Sequence, residues 1–503
     1  MQIPLFNTVV SWILKKRKYQ VDMFLNHPVE VQNEVLYELL SEAKHTLYGK
    51  KYGFEDIKSY SSFAEKVPIR QYESIEPFIE RIRKGEQNVF WPSKIHWFAK
   101  SSGTTNAKSK FIPVSDEAID DCHMKAGKDM LCLFINNNED TEIFKGKGLR
   151  LGGSSAIYED NDTYFGDLSA IIIENMPFWA DFSSAPSQKT ALMSEWETKM
   201  DAIIEETIPE NITSLSGVPS WMLVLLNRVL EVTGKKNILE VWPNLEVYFH
   251  GGVNFKPYKE QYQKLIPKKD FRYYETYNAS EGFFAIQDRN NSDELLLMLD
   301  YGIFYEFIPM DQYQGEDSAA IPLEQVEVGV NYAIVITTNS GLWRYLIGDT
   351  VKFTGTNPYR IKITGRTKHF INVFGEELVV ENAEDALEVA CNNYNATVNE
   401  FTVAPIFMES EQSGGHEWLI EFQKVPEDLE GFVTCLDDTL KSLNSDYEAK
   451  RYMNMTINRP VVHCAPKGLF YQWLKNNGKL GGQHKVPRLS NSRNYLEELL
   501  SIA

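Results

Sequence analysis

The sequence predicts an α/β protein: a large N-terminal domain of mixed sheets flanked by helices, followed by a smaller α+β domain. Three observations carry this. From about Ile95 short apolar runs are punctuated by Gly and Ser, a β-rich tract extends from Leu295 to Lys362, and a shorter unit with its own helix and strand candidates follows Gly365. Strand, glycine turn, then helix is the rhythm of an α/β domain. At 503 residues the chain has room for several units of roughly 100 to 200 residues each.

In chain order, Ile3 to Leu14 is apolar but broken by Pro4, Asn7 and Ser11, short of the roughly 20 residues that span a bilayer. Its positive charges, Lys15 to Lys18, follow the apolar stretch rather than precede it, unlike a secretory signal. A surface helix of a cytoplasmic protein is expected there. Val31, Val35, Leu36, Leu39, Leu40, Ala43 and Leu47 recur at helical spacing and predict an amphipathic helix over 29–48, ending at Gly49. Strands are expected at Trp97 to Ala99, Leu149 to Leu151 and Leu245 to Phe249, each ahead of a Gly or Ser turn. Helices are expected at Leu192 to Glu206 and Trp221 to Val232. The β tract contains Leu295 to Leu299, Phe304 to Ile308, Asn331 to Thr338 and Tyr359 to Ile363. The last unit has a helix at Asn382 to Cys391, strands at Glu400 to Pro405 and Glu417 to Phe422, and an acidic helix near Pro426 to Leu443. The domain boundary falls within Thr364 to Lys368, giving domains 1–366 and 367–503.

Composition narrows the function. With 43% apolar and 24% charged residues the chain is an ordinary folded one, and disordered or fibrous classes are excluded. A formal charge of -19 repels polyanions, so nucleic acid is not expected as a partner, although a local basic pocket could hold a nucleotide. Five cysteines without a C-x-x-C pair fit a reducing compartment.

Five segments could carry chemistry. Ser101-Ser102-Gly103-Thr104-Thr105-Asn106-Ala107-Lys108-Ser109-Lys110 follows a strand candidate and offers backbone N–H groups, hydroxyls and ammonium charge, which suit a polyphosphate. Ala107 stands where a P-loop has its second Gly. Tyr273 to Gly282 holds Tyr277, whose face can stack on a purine, then Ser280 and Glu281, a carboxylate able to hold Mg²⁺ beside phosphate oxygens. Leu342 to Asp349 ends on an acid past an apolar strand, placed as ribose-binding acids are. Gly365-Arg366-Thr367-Lys368 lies at the boundary, and Gly481 to Arg488 near the C-terminus.

In this order the segments resemble the adenylate-forming superfamily of acyl-CoA synthetases, peptide-synthetase adenylation domains and luciferase. More closely they resemble its Gretchen Hagen branch, the auxin-responsive acyl acid amido synthetases. The first loop with Phe111-Ile112-Pro113 matches the branch's phosphate motif, and Tyr277 to Glu281 its Y-x-x-S-E. Tyr345 to Asp349 matches Y-R-x-G-D except for Leu346 in the Arg position, and Lys485-Val486-Pro487-Arg488 matches K-x-P-R. Lys66 to Arg70 and Ile75 to Arg81 extend the likeness. The resemblance implies two half-reactions: an acid attacks ATP to give an acyl-adenylate, then an amine, usually an amino acid, takes the acyl group. It implies a mobile C-terminal domain that rotates between them.

It further implies that Ser101, Ser102, Gly103, Thr104, Thr105 and Lys108 hold the terminal phosphates, Tyr277 stacks on adenine beside Ser280, Glu281 binds Mg²⁺, Asp349 holds the ribose and Arg366 contacts the nucleotide. Lys485 would reach the α-phosphate or the carboxylate during adenylation, with Lys479 competing for that role, and either Arg344 would supply the charge missing at Leu346 or that contact would be absent. The alternatives are an acyl-CoA synthetase and a scaffold without turnover; retention of Glu281 and Lys485 speaks against the latter. A serine hydrolase around Gly152 to Ser155 lacks G-x-S-x-G, and a metal hydrolase lacks H-E-x-x-H. Phe178-Trp179 and Ser216 to Trp221 suit an aryl or medium alkyl acid.

Overall fold

The computed structural model describes residues 17, 19–101, 110–152, 157–160, 162–193, 196–252, 255, 258–367, 370–376, 378–408, 413–452, 456–477 and 486–503. The expected helix at Ile3 to Leu14 lies outside them. Helix Pro28–Ala43 buries Val35, Leu36, Leu39, Leu40 and Ala43 along one face. Gln32 on that face is buried too: its amide donates to the carbonyls of Leu299 (2.8 Å) and Ile303 (3.0 Å) and accepts from the Tyr305 N–H (2.9 Å). A buried amide with these partners fixes the helix to the sheet beneath. The helix ends earlier than its periodicity predicts, because Thr46 caps a second helix, Leu47–Tyr52, by accepting from the Gly49 N–H at 2.9 Å. Gly49 therefore lies inside the second helix. A Cβ there would meet the Ala43 carbonyl oxygen at 2.1 Å.

The strands that frame the site are β1 (Trp97–Ser101), β2 (Lys110–Val114), β3 (Val247–Gly251), β4 (Arg272–Ala279), β5 (Gly282–Ile286), β6 (Tyr345–Thr356), β7 (Tyr359–Arg366), β8 (Thr397–Ile406) and β9 (Gly415–Lys424). Among the described residues the main sheet has twelve strands and two halves. In one half Ser184–Ala185, Lys147–Leu151, Ile212–Gly217, β3 and β4 run parallel, with helices such as Trp196–Thr207 and Pro219–Thr233 as crossovers. In the other, β4, β5, Leu295–Leu297, β7, β6, Asn331–Thr338 and Ile303–Pro309 alternate in direction. β4 belongs to both halves, and the carboxyl ends of parallel strands at such a change of direction are where α/β sheets bind ligands.

One expectation is corrected here. β1 leads not into a helix but back through β2, its antiparallel partner, with Ser101 opposite Lys110. The helical segment begins only at Asp116, turns π-helical over Ala118–Met124 and runs into Lys125–Asn137. Residues 102–109 of the expected phosphate loop, including Ser102, Gly103, Thr104, Thr105 and Lys108, lie outside the described residues, but both ends of the loop are placed by this hairpin.

In the last unit β8, β9 and Val461–Cys464 form a sheet covered by helices Val380–Asn393 and Leu429–Leu443. Its core is continuous with that of the parallel half: Leu215, Met222 and Tyr258 belong to one apolar cluster with Ile371, Phe374 and Trp418. The Tyr258 hydroxyl donates to the Val373 carbonyl at 2.6 Å, Gln261 donates to the Met408 carbonyl at 2.8 Å, and the Lys450 ammonium lies 3.7 Å from the Trp221 ring centroid. Among the described residues no helix is long and apolar enough to cross a membrane.

Candidate active site

A cleft of about 1220 Å³ opens where β3 and β4 end, bounded by the antiparallel half and, from the last unit, by Asn372, Val373, Phe407 and Asn491. Its geometry follows from two hairpins. β4 and β5 pair Ala279 with Gly282, so Ser280 and Glu281 form a two-residue turn that carries both into the cleft. β6 and β7 pair Asp349 with Arg366, and the Arg366 Nε donates to Asp349 Oδ1 at 2.8 Å. Gly348 before it has φ +94°, a left-handed conformation that glycine adopts without strain.

The Tyr277 hydroxyl donates to Asp349 Oδ2 at 2.8 Å and its ring packs on Phe284, with centroids 4.8 Å apart. The Tyr345 hydroxyl donates to Glu281 Oε1 at 3.4 Å. Burial pushes the Glu281 carboxyl up to about 7, with Asp349 adding to the rise and Lys110 and Arg366 opposing it. Lys110, at the end of the expected phosphate loop, lines the same cleft. Over the whole chain acids far outnumber bases, yet the cleft's six cations, Lys110, Lys259, Lys268, Lys269, Lys362 and Arg366, outnumber its five carboxylates. The local field therefore departs from the global one in the direction that a bound polyphosphate requires.

The sequence matches the N-terminal domain of the GH3 family over residues 17–271, the central domain of that family over 296–366 and its C-terminal domain over 381–494. The chain belongs to the GH3 family. Indole-3-acetic acid-amido synthetase GH3.3 of Arabidopsis thaliana is 24% identical to it over 534 residues, which cover 91% of this chain and 89% of the relative. The 4-substituted benzoates-glutamate ligase GH3.12 of Arabidopsis thaliana is 23% identical over 555 residues, covering 93% and 94%. Among solved structures, the AtGH3.15 acyl acid amido synthetase in complex with 2,4-DB superposes with a TM-score of 0.61 at 17% identity, covering 94% of this chain and 93% of that one. The likeness read from the motifs is thus borne out as membership of the GH3 family, and the mixed α/β architecture with a smaller last unit is the one its fold relatives share.

Within this family member the cleft gathers Tyr277, Ser280, Glu281, Asp349 and Arg366, five residues singled out from the sequence. Ser101 ends β1 opposite Lys110, at the root of the expected phosphate loop. Lys485 and Lys479 lie outside the described residues. Lys485 is followed by a segment laced to β8, where the Thr402 hydroxyl donates to the Pro487 carbonyl at 2.7 Å and the Val403 N–H to that of Arg488 at 2.8 Å.

Arg344 is a correction. It does not line the cleft: it is buried, its Nε and Nη2 bind Glu306 at 2.9 and 2.7 Å, and its Nη1 donates to the carbonyls of Val67 (2.7 Å) and Ala64 (2.9 Å). A guanidinium with this set of partners ties strands to the helical N-terminal segment and has no charge to lend the cleft. Leu346 lines the cleft and packs with Ile69, Ile308, Ala333 and Val335, so no cation replaces the expected Arg at that position.

Sequence reasoning missed His250, at the end of β3. The ring lines the cleft, stacks on Phe255 with centroids 4.0 Å apart, and leaves Nδ1 without a partner. Burial lowers its pKa to about 3, so it presents a neutral imidazole. The next residue, Gly251, leaves no room for a Cβ, which would meet the Thr276 carbonyl oxygen at 2.5 Å. A polar residue between an apolar strand and a glycine pair was the available signal. Trp221, expected at an acyl pocket, faces Lys450. The side chains of Phe178 and Trp179 lie outside the description.

Proposed function

We propose that this chain is an ATP-dependent acyl acid amido synthetase that activates a carboxylic acid as its acyl-adenylate and transfers the acyl group to an amino acid. The observation that carries this reading is the convergence of Tyr277, Glu281 and the Asp349–Arg366 pair on the cleft that also receives Lys110 from the phosphate-loop hairpin. In the first step a carboxylate oxygen attacks the α-phosphorus and the bond to pyrophosphate breaks. In the second the amine nitrogen attacks the acyl carbon, the bond to AMP breaks and the nitrogen loses a proton.

The first step brings a carboxylate toward a polyphosphate, so it needs cations placed in advance. Lys110, Arg366 and Lys108 supply them, the loop residues Ser101 to Thr105 add neutral hydroxyl and N–H donors, and Lys485 adds charge at the α-phosphate when the last unit, 367–503, closes. Asp349 accepts from the ribose hydroxyls while Arg366, bonded to its Oδ1, holds it in place, and Tyr277 gives the adenine an aromatic face. Among the described residues no three ligating side chains cluster for a metal. Mg²⁺ is commonly held by one carboxylate together with substrate phosphates and water, and Glu281 fits that role. The ion would neutralise phosphate charge. The mixed anhydride survives only where water is kept out, which the walls from the last unit, Asn372, Val373, Phe407 and Asn491, favour.

A pyrophosphate-release screen across aryl and alkyl carboxylic acids, with and without an amino acid mixture, tests the reading. Acid-dependent release with an amide product supports it. Thioester formation with coenzyme A and no amide would reassign the acceptor, and no release with any acid would refute adenylation.

A further inference from the structure

The cleft holds a polar side chain that the two half-reactions leave without a task. His250, near the end of β3, lines the cleft beside Gly252 and Phe255 and is 3% exposed. Among the described residues its ring has no hydrogen-bond partner. The ring is nevertheless held firmly. Phe255 stacks on it with 23° between planes, and the Tyr248 ring lies 5.3 Å away between centroids. The backbone beneath is tied to β4, where the Thr276 hydroxyl donates to the His250 carbonyl at 3.1 Å and Glu275 stands opposite His250 in the strand pairing.

The two ring nitrogens are not equivalent. Nδ1 is sealed inside the protein and has no partner there, so the nitrogen left to the cleft is Nε2. A neutral imidazole has one N–H and one acceptor nitrogen. An N–H buried without an acceptor is rarer than an unused lone pair, which puts the proton on Nε2. Burial lowers the pKa to about 3, and the ring accordingly stays neutral through the physiological range. His250 thus offers the cleft an uncharged donor.

Such a donor adds little where Lys110 and Arg366 already serve phosphate and carboxylate oxygens with charge-assisted bonds. It suits the nitrogen of a neutral heteroaromatic ring. Placement points the same way. Tyr277 follows Glu275 by two residues on β4, on the same face and roughly 7 Å further along. A base resting on Tyr277 therefore turns an edge toward His250 and Glu275, both of which line the cleft. Adenine presents an acceptor nitrogen beside its amino group on such an edge, the complement of an imidazole N–H beside a carboxylate. We propose that His250 selects the base, donating from Nε2 to the ring nitrogen next to the adenine amino group while Glu275 accepts from that amino group. The proposal rests on the reading of the cleft as an ATP site and names the side chain that recognises the base there.

Calorimetric titration of the wild type, His250→Phe and His250→Gln tests it, using Mg·ATP and the three analogues in which carbon replaces N1, N3 or N7 of the base. Phenylalanine keeps the stack on Phe255 and removes the donor, whereas glutamine returns one. ATP should bind His250→Phe roughly three- to tenfold more weakly than the wild type, the loss of one neutral hydrogen bond, with His250→Gln between them. The analogue lacking N1 or the one lacking N7 should bind the wild type as weakly as His250→Phe binds ATP, and His250→Phe should not distinguish that analogue from ATP. The analogue lacking N3, which is remote from the amino group, should show the full difference between the proteins. Equal affinity of the wild type for ATP and all three analogues would overturn the proposal without recourse to any variant. A loss in His250→Phe that is the same for ATP and every analogue would overturn it too, by assigning the ring to packing. No binding of ATP by the wild type would refute the reading of the cleft and the proposal with it, so the two failures are told apart by the wild type alone.

Discussion

Glu281 is expected to release a proton when Mg·ATP binds. Burial holds this carboxyl up to about 7, and Mg²⁺ takes only the ionised form. With that value about three quarters of the free protein carries the proton at about pH 6.5, and about a tenth at about pH 8. The folded chain thus keeps a proton that the unfolded chain, with an ordinary glutamate, has already lost between about pH 4.5 and 7. This group's contribution to stability accordingly falls as the pH rises through that window, while metal-dependent affinity strengthens across its upper part. One pH unit below 7 costs about 1.4 kcal/mol, or roughly tenfold in apparent affinity, and above about pH 8 the dependence flattens. Titration with preformed Mg·ATP in two buffers of different ionisation enthalpy gives the number of protons released: about 0.8 at about pH 6.5 in the wild type, near zero for Glu281→Gln. Equal release by the two proteins, or an affinity that does not change between about pH 6 and 8, would refute the assignment of Glu281 to the metal.

Three further outcomes are expected. Asp349→Ala removes the acceptor of Tyr277 and Arg366 as well as the ribose contact, and should raise the KM for ATP by about tenfold or more with a smaller effect on kcat; an unchanged KM would reduce Gly348-Asp349 to a structural turn. Arg344→Met leaves Glu306 and two backbone carbonyls without their guanidinium, so urea denaturation should report a loss of about 3–5 kcal/mol while the folded fraction keeps its KM for ATP; full stability with lost turnover would restore the catalytic role. Lys485→Ala should abolish adenylate formation yet leave aminolysis of a supplied acyl-adenylate largely intact, since that step develops its charge at the acyl carbon; wild-type adenylate synthesis would move the role to Lys479 or out of the last unit.

Much of the fold was legible because hydrophobic period and length point the same way. Asn331–Thr338 reads as a strand and is buried on both faces, and Pro219–Thr233 reads as an apolar helix and packs inside the parallel half. The β1–β2 hairpin was not legible. A Ser-Gly-Thr-rich loop after a short strand fits a turn into a helix as well as a return strand, and the Lys110 to Val114 run carries no alternation to decide between them. Arg344 was misread for a related reason. An arginine beside a motif signals charge, but only packing tells whether that charge faces a ligand or, as here, a buried glutamate 38 residues earlier in the chain.

The pairing of Asp349 with Arg366 shows how far a sequence can carry geometry. Counting back from the turn, where Thr356 faces Tyr359, an unbroken hairpin places Asp349 opposite Arg366. The real hairpin is broken twice. An extra residue, Thr354, enters β6 between Phe353 and Gly355, and another, Thr364, enters β7 opposite the step from Thr350 to Val351. Each bulge alone would shift the register by one and turn the next side chains to the other face. Because they fall on opposite strands they cancel, so the simple count is right at the site although it fails between. The two bulges therefore act as a matched pair that bends the hairpin while keeping acid and guanidinium opposed. The guanidinium at the cleft comes from across the strand, from Arg366, while Leu346 occupies the position where the family motif would have supplied one along it.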